Sequence, residues 1–209
     1  MHGRCFCDIP YRTTSFLLAI ASGQRRSSLH ALSISPGHIR WERYGVRLIP
    51  VTSFIAKNQT ASSGSIEIFI RPLTEFSSIR EDKVWCPVRA LKWYIKRTEN
   101  LRKSSQLFVT AREPHKGVSR DTLSRWIVSA IKAAGVKALE EGTTPKAHQT
   151  RSISSSWALF TGVGVEDICK AAFWRSANSF TSFYLRDVAA SEGVFSTAPL
   201  KAAASSIVS

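Results

Sequence analysis

The stretch from His38 to Leu73 is where single alternation of apolar residues is clearest, and it constrains the fold most. Val46, Leu48 and Ile49 form one candidate strand, and Ile66, Ile68 and Ile70 alternate in another. A side-chain period of two places such residues on one face of a sheet. Between them runs the polar, turn-rich segment Lys57-Asn58-Gln59-Thr60-Ala61-Ser62-Ser63-Gly64. The pattern predicts a β-hairpin with Lys57 near its tip.

On either side the period is helical. Phe16, Leu17, Ile20, Leu29 and Leu32 supply an apolar stripe that predicts helix over Thr13–Ile34, interrupted near Gly23 and followed by a Pro36-Gly37 turn. Val88 to Thr98 reads as a helix with Pro87 in its first turn, where the missing N–H costs nothing. Leu107-Phe108-Val109 is a short buried segment, and Arg112 to Gly117 is a polar loop. A helix is expected from about Asp121 to Ala134, stopped by Gly135, with Trp126, Ile127 and Ile131 packing. Thr144-Pro145 predicts the start of a helix that carries His148, Arg151, Trp157 and Phe160 and ends near Gly162. A shorter helix, Val165 to Ala172, follows, and Asn178 is the expected cap of the next, which bears Phe180, Phe183 and Tyr184. The expected architecture is mainly α with a small antiparallel β-sheet, an α+β fold. Residues 1–12 are read as an N-terminal extension, 13–188 as one domain, and the Ala- and Ser-rich 189–209 as a tail or docking segment.

Charge narrows the partner. The chain carries 29 Lys+Arg against 15 Asp+Glu, a formal net charge of +14, with 44% hydrophobic residues. That hydrophobic content excludes a disordered polycation. The excess charge favours a polyanion, with nucleic acid as the first reading and a membrane surface as the rival. The longest apolar run, Phe16 to Ala21, is far too short to cross a bilayer, and the N-terminus lacks the apolar core of a signal peptide. Cys5, Cys7, Cys86 and Cys169 form no CxxC pair. Their spacing points to reduced thiols and offers no metal site. The expectation is a soluble intracellular protein.

The chemistry is concentrated in His148-Gln149-Thr150-Arg151. Positions three apart share a helix face, and a first helical turn, with its free N–H groups, favours an anion. His and Arg together there suit a phosphate. Such a motif alone is weak; its surroundings give it weight. Ala147 to Ser152 leads into Ser156-Trp157-Ala158-Leu159, then Gly162-Val163, Glu166-Asp167-Ile168-Cys169, Ala171-Ala172-Phe173-Trp174, Phe180 to Tyr184, and Arg186-Asp187-Val188. In this order the segments resemble the C-terminal half of tyrosine recombinases, the phage-integrase family. The likeness is greatest to members carried by eukaryotic mobile elements of the DIRS, Ngaro and Crypton types. Upstream, Gly23-Gln24-Arg25-Arg26-Ser27-Ser28-Leu29-His30-Ala31-Leu32 is similar to the family's first arginine motif. The likeness spans about residues 13 to 190.

The resemblance implies an enzyme that cuts and rejoins double-stranded DNA, and it implies roles. Tyr184 is the nucleophile; Arg25, rather than Arg26, and Arg151 hold the nonbridging phosphate oxygens through forked donors. His148 donates to the phosphate or manages the nucleophile's proton. Trp174 offers only an indole N–H, and family members carry His or Trp there. The family's hairpin lysine falls on Lys57, which would protonate the departing 5′ oxygen. A 3′-phosphotyrosyl link keeps the ester, so the step reverses without cofactor, metal or ATP. The implied assembly is a tetramer on paired sites, and the implied compartment is the nucleus in a eukaryote and the cytoplasm otherwise.

Each residue also has a plainer reading. Arg25 and Arg26 fit solvated helix charges, Lys57 an exposed turn lysine, Trp174 and Tyr184 packed aromatics. The sequence departs from the family pattern in three respects: Ser28 stands where a glutamate is usual, Trp174 and Tyr184 lie ten residues apart, and the residues before Arg25 are too few for the usual core-binding domain. These departures keep open a catalytically idle DNA-binding remnant of a mobile element. A type IB topoisomerase-like enzyme is a third reading.

Overall fold

A computed structural model describes residues 9–56, 66–73, 80–133, 144–174 and 176–183. Lys57, Tyr184, Cys5, Cys7, the hairpin tip and the segment 189–209 lie outside the described residues.

Helix α1 (Ile9–Ser22) is the centre of the molecule and packs against five other elements. Leu17, Leu18 and Ala19 are buried, and removing a large apolar side chain from water contributes about 1.5–3 kcal/mol. The expected single helix over Thr13–Ile34 is in fact two. It begins earlier, at Ile9, and Gly23, at φ +58°, ends it before α2 (Arg26–His30) starts. A Cβ on Gly23 would come within 3.2 Å of Ala172 Cβ, so the break is also a close approach between distant segments.

The sheet has three antiparallel strands in the order β1 (Ile39–Glu42), β2 (Gly45–Leu48), β3 (Ile68–Ile70). Val46 pairs with Ile70 and Leu48 with Ile68, and all four are buried, as their alternation predicts. Arg47 and Phe69 point outward between them, with the guanidinium 5.1 Å from the ring centroid. Strand β1 was not evident in the alternation. It is an edge strand without a buried residue, so no apolar period marks it.

Two helices follow, α3 (Arg80–Trp85), which the apolar pattern does not announce, and α4 (Pro87–Thr98). Leu91 and Tyr94 anchor α4 in the core. Tyr94 meets Tyr11 edge-on at 5.3 Å, and its hydroxyl accepts from the Val109 N–H at 3.0 Å. Burial pushes the Tyr94 phenol up to about 12. Leu107, Phe108 and Val109 are fully buried. Helix α5 (Arg120–Ala133) follows Ser119, whose Oγ accepts from the Thr122 N–H, and it buries Leu123, Ile127 and Ile131.

Helix α6 (Gln149–Phe160) starts later than Thr144-Pro145 suggests. The Gln149 side chain accepts from the Lys146 N–H at 2.6 Å while the Lys146 carbonyl accepts from the Gln149 N–H at 3.0 Å. This reciprocal turn takes the place of the expected Thr cap and makes His148 the N-cap residue. Helix α7 (Val165–Ala172) matches its expected bounds and closes with Phe173 in the left-handed region. Helix α8 (Ala177–Phe183) is capped by Ser176, whose Oγ accepts from the Ser179 N–H at 3.2 Å, and not by Asn178. Ile168, Ala172, Trp174 and Phe180 form a second, smaller core.

Candidate functional site

Arg25, His148 and Arg151 come together in one open cleft of about 650 Å³, although 122 residues of chain lie between Arg25 and His148. The break at Gly23 positions Arg25 as the N-cap of α2, and the Lys146–Gln149 turn positions His148 and Arg151 at the start of α6. Arg26, Arg120 and Lys146 also line the cleft, and its described lining contains no carboxylate. Arg120 and Lys146 were not singled out in the sequence. Both are isolated cations whose place depends on contacts between distant segments, so no local pattern marks them.

The two arginines of the first motif behave differently. Arg26 is held by α5, at 3.2 Å from Asp121 Oδ1 and 3.0 Å from Ser124 Oγ. Arg25 is half-buried, and among the described residues its side chain has no hydrogen-bond or ion-pair partner. Its guanidinium is open to an incoming anion.

Arg151 is buried, at 4% exposure, and its donors turn inward. Nη1 donates to the Gly23 carbonyl at 2.7 Å and also to the Ala172 carbonyl; Nη2 donates to the Phe173 carbonyl at 3.3 Å. The guanidinium carbon lies 3.7 Å from the Trp174 ring centroid. One side chain thus ties the α1–α2 break to the end of α7. The left-handed Phe173 and the close Gly23–Ala172 approach are the backbone features that bring those carbonyls to it. Buried Gln24 strengthens the same seam by donating to the Ala171 carbonyl at 2.9 Å.

Trp174 lies beneath this cluster and is almost fully buried. Its indole N–H, which the sequence reading offers to a phosphate, donates to Ser155 Oγ at 3.0 Å. The ring also packs on Phe180 at 5.8 Å. In this geometry Trp174 is a core aromatic that supports Arg151, because its one donor is already taken. Ser155 was not foreseen; it lies on α6, 19 residues from the tryptophan it binds. Ser28, where a glutamate is usual, is buried within α2. Lys57 and Tyr184 lie outside the described residues, though α8 runs to Phe183, the residue before Tyr184.

His30 lies next to the cleft, its Nε2 2.9 Å from the Val118 carbonyl, so that nitrogen carries the proton. Desolvation lowers its pKa, outweighing the upward effect of the Val118 bond, and nearby Arg120 lowers it further. Among the described residues no group of three His, Cys, Asp or Glu side chains could hold a metal ion. No described helix is long and apolar enough to cross a membrane.

No protein-family model matches the chain, and no curated protein sequence matches it. Solved structures do. The XerH site-specific recombinase, bound to its difH substrate in a pre-cleavage complex, is similar with a TM-score of 0.60 and 13% identity, covering 85% of this chain and 43% of that one. XerA recombinase is similar with a TM-score of 0.59 and 16% identity, covering 91% of this chain and 56% of that one. A lambda integrase fragment, a dimer on a COC′ core site, gives a TM-score of 0.52 and 19% identity, covering 87% of this chain and 54% of that one. The chain therefore spans about half the length of these proteins. Its fold is that of tyrosine recombinase catalytic domains, mainly helical with a small three-stranded antiparallel sheet.

Proposed function

We infer that this chain is a DNA breaking-and-rejoining domain that works through a phosphotyrosyl intermediate on Tyr184. The observation that carries the reading is the cleft itself. It gathers Arg25, Arg120, Lys146 and Arg151 with His148 at the start of α6, without a described carboxylate in the lining. A phosphodiester fits such a site, and base identity does not matter to it. XerH and lambda integrase, which share the fold, are bound to DNA in their structures.

In the proposed step the Tyr184 hydroxyl gives its proton to His148 as its oxygen attacks phosphorus, the bond to the 5′ oxygen breaks, and that oxygen takes a proton from Lys57. The products are a 3′-phosphotyrosyl ester and a free 5′-hydroxyl. Attack by another strand's 5′-hydroxyl reverses the step, so neither ATP nor a metal enters. A phenol with a pKa near 10 needs this cationic surrounding to act as a nucleophile. Arg25 supplies forked donors to the nonbridging oxygens. Arg151 adds its positive charge at the cleft wall and fixes the backbone around Arg25, and Trp174 supports Arg151 from below. Preorganised donors of this kind are worth about 2.7–4 kcal/mol each in well-studied oxyanion sites. The sequence likeness to DIRS, Ngaro and Crypton elements supports an origin in a mobile element, action in a nucleus and assembly as a tetramer on paired sites.

A duplex nicked near the cut site tests this, because loss of the short cleaved strand traps the covalent complex. A trapped adduct in the wild type, absent in Tyr184→Phe, is the expected result. A second reading, an idle DNA-binding remnant, is favoured by one observation: Arg151 and Trp174 spend donors inside the protein. Salt-sensitive DNA binding with no adduct would select it.

A further inference from the structure

Arg25 is placed in the cleft by its backbone. Among the described residues its side chain has no hydrogen-bond or ion-pair partner, and α2, which begins at the next residue, carries no carboxylate that could hold it. A guanidinium on a long stem meets a phosphate in one geometry only if the chain beneath it is fixed. The Arg25 carbonyl accepts from the Leu29 N–H at 3.1 Å, so the stem starts at the first turn of α2. What fixes that turn against the rest of the cleft is the question.

The two neighbours of Arg25 are its anchors, and they differ in strength. Arg26 reaches Asp121 Oδ1 on α5, but that pair is exposed, and exposed ion pairs hold little. Gln24 is 3% exposed. Its Nε2 donates to the Ala171 carbonyl at 2.9 Å, near the end of α7, and its backbone N–H donates to Ser22 Oγ at 3.3 Å, at the end of α1. Swinging this amide away would leave a buried donor unpaired, which is costly. The residues before it are fixed as well. Ser154 Oγ of α6 donates to the Ile20 carbonyl at 2.6 Å, and Arg151 donates to the Gly23 carbonyl at 2.7 Å. Gln24 is therefore the last firmly held residue before Arg25.

We propose that Gln24 is the positioning residue for Arg25: its buried amide, bound to the end of α7, fixes the backbone from which Arg25 reaches a phosphate, a role that rests on the cleft being a DNA phosphate site. Gln24 acts through Arg25 and not on the phosphate. Its loss should misplace the Arg25 charge without removing it, so chemistry suffers more than binding.

Four forms of the full chain test this on the nicked duplex: wild type, Gln24→Met, Arg25→Ala and the double variant. Methionine keeps the length of the side chain and removes its donor. Gln24→Met should bind the duplex within about twofold of the wild type and with the same salt slope, because the charge of Arg25 remains. Its rate of adduct formation on saturating duplex should fall about tenfold or more, since a misplacement of roughly 1 Å can cost about 10²-fold. In the Arg25→Ala background the same substitution should change that rate by less than about twofold, as expected of two residues acting as one unit. A wild-type rate in Gln24→Met, or an equal fold loss in both backgrounds, would overturn the proposal; a general loosening of the fold gives the second result. The Arg25 Nε–H resonance, assigned with Arg25→Ala, gives a reading that needs no chemistry. Adding an intact duplex should shift it in the wild type and less than half as far in Gln24→Met. Equal shifts, or none in the wild type, would overturn the proposal. A wild type that forms no adduct but keeps this difference in shift would sink the phosphotyrosyl reading and support the role of Gln24.

Discussion

Replacing Arg151 with alanine should cost more stability than replacing any other cation of the cleft. Its side chain is buried and donates to the carbonyls of Gly23, Ala172 and Phe173, joining segments 128 and about 21 residues away. Hydrogen bonds to charged groups contribute about 1.5–3 kcal/mol each. Three in simple sum would give about 4.5–9 kcal/mol, but Nη1 is shared, and alanine also removes the desolvation cost of the buried charge, which leaves about 3–5 kcal/mol. For a chain of this size 1 kcal/mol moves the melting temperature by roughly 2–4 °C, so the expected fall is roughly 6–20 °C. Arg151→Lys keeps the charge but cannot span three acceptors and should fall about halfway. Arg25→Ala, which loses no described partner, should melt within about 2 °C of the wild type while binding DNA more weakly. Calorimetry on the three variants reads this directly. If Arg151→Ala melts within 2 °C of the wild type, the carbonyl seam does not hold the site together.

Other expectations follow from the same geometry. Ser155→Ala leaves the buried Trp174 N–H without its acceptor and should cost about 1–3 kcal/mol in denaturant unfolding, whereas Ser155→Thr, which keeps a hydroxyl, should cost less. The folded-state pKa of His30 lies below the ordinary value of 6.5, so the unfolded chain binds the proton more readily. Stability from this group is present above pH 6.5 and declines as pH falls through the lowered folded value; His30→Gln should flatten that part of the stability profile. Arg25→Ala and Lys146→Ala should each reduce the slope of log K for DNA against log salt by about one, by the loss of one phosphate contact.

Much of the fold was legible because its signals are local. Val165 to Ala172 sits between a glycine and a left-handed residue, with Glu166 and Asp167 in its first turn, and its bounds follow from that. Strands β2 and β3 follow from the alternation of Val46 and Leu48 with Ile68 and Ile70. The edge strand Ile39–Glu42 has no fully buried residue, only a partly buried Ile39, and so leaves no pattern. The start of α6 was misplaced because a side chain, Gln149, captures the Lys146 N–H ahead of the Thr144-Pro145 signal. In the site, residue types and order pointed to Arg25, His148 and Arg151, which share one cleft. The inward turn of the Arg151 donors was not legible. Its acceptors are backbone carbonyls, which look alike in any sequence, and one lies 128 residues away.

The proposed function turns on Tyr184 becoming covalently joined to DNA. The most direct measurement is peptide mapping by mass spectrometry of the complex formed on a nicked duplex, after nuclease and protease digestion. The expected result is a nucleotide attached through phosphate to the peptide containing Tyr184, with none in Tyr184→Phe. No modified peptide, or a nucleotide attached at another residue, would contradict it.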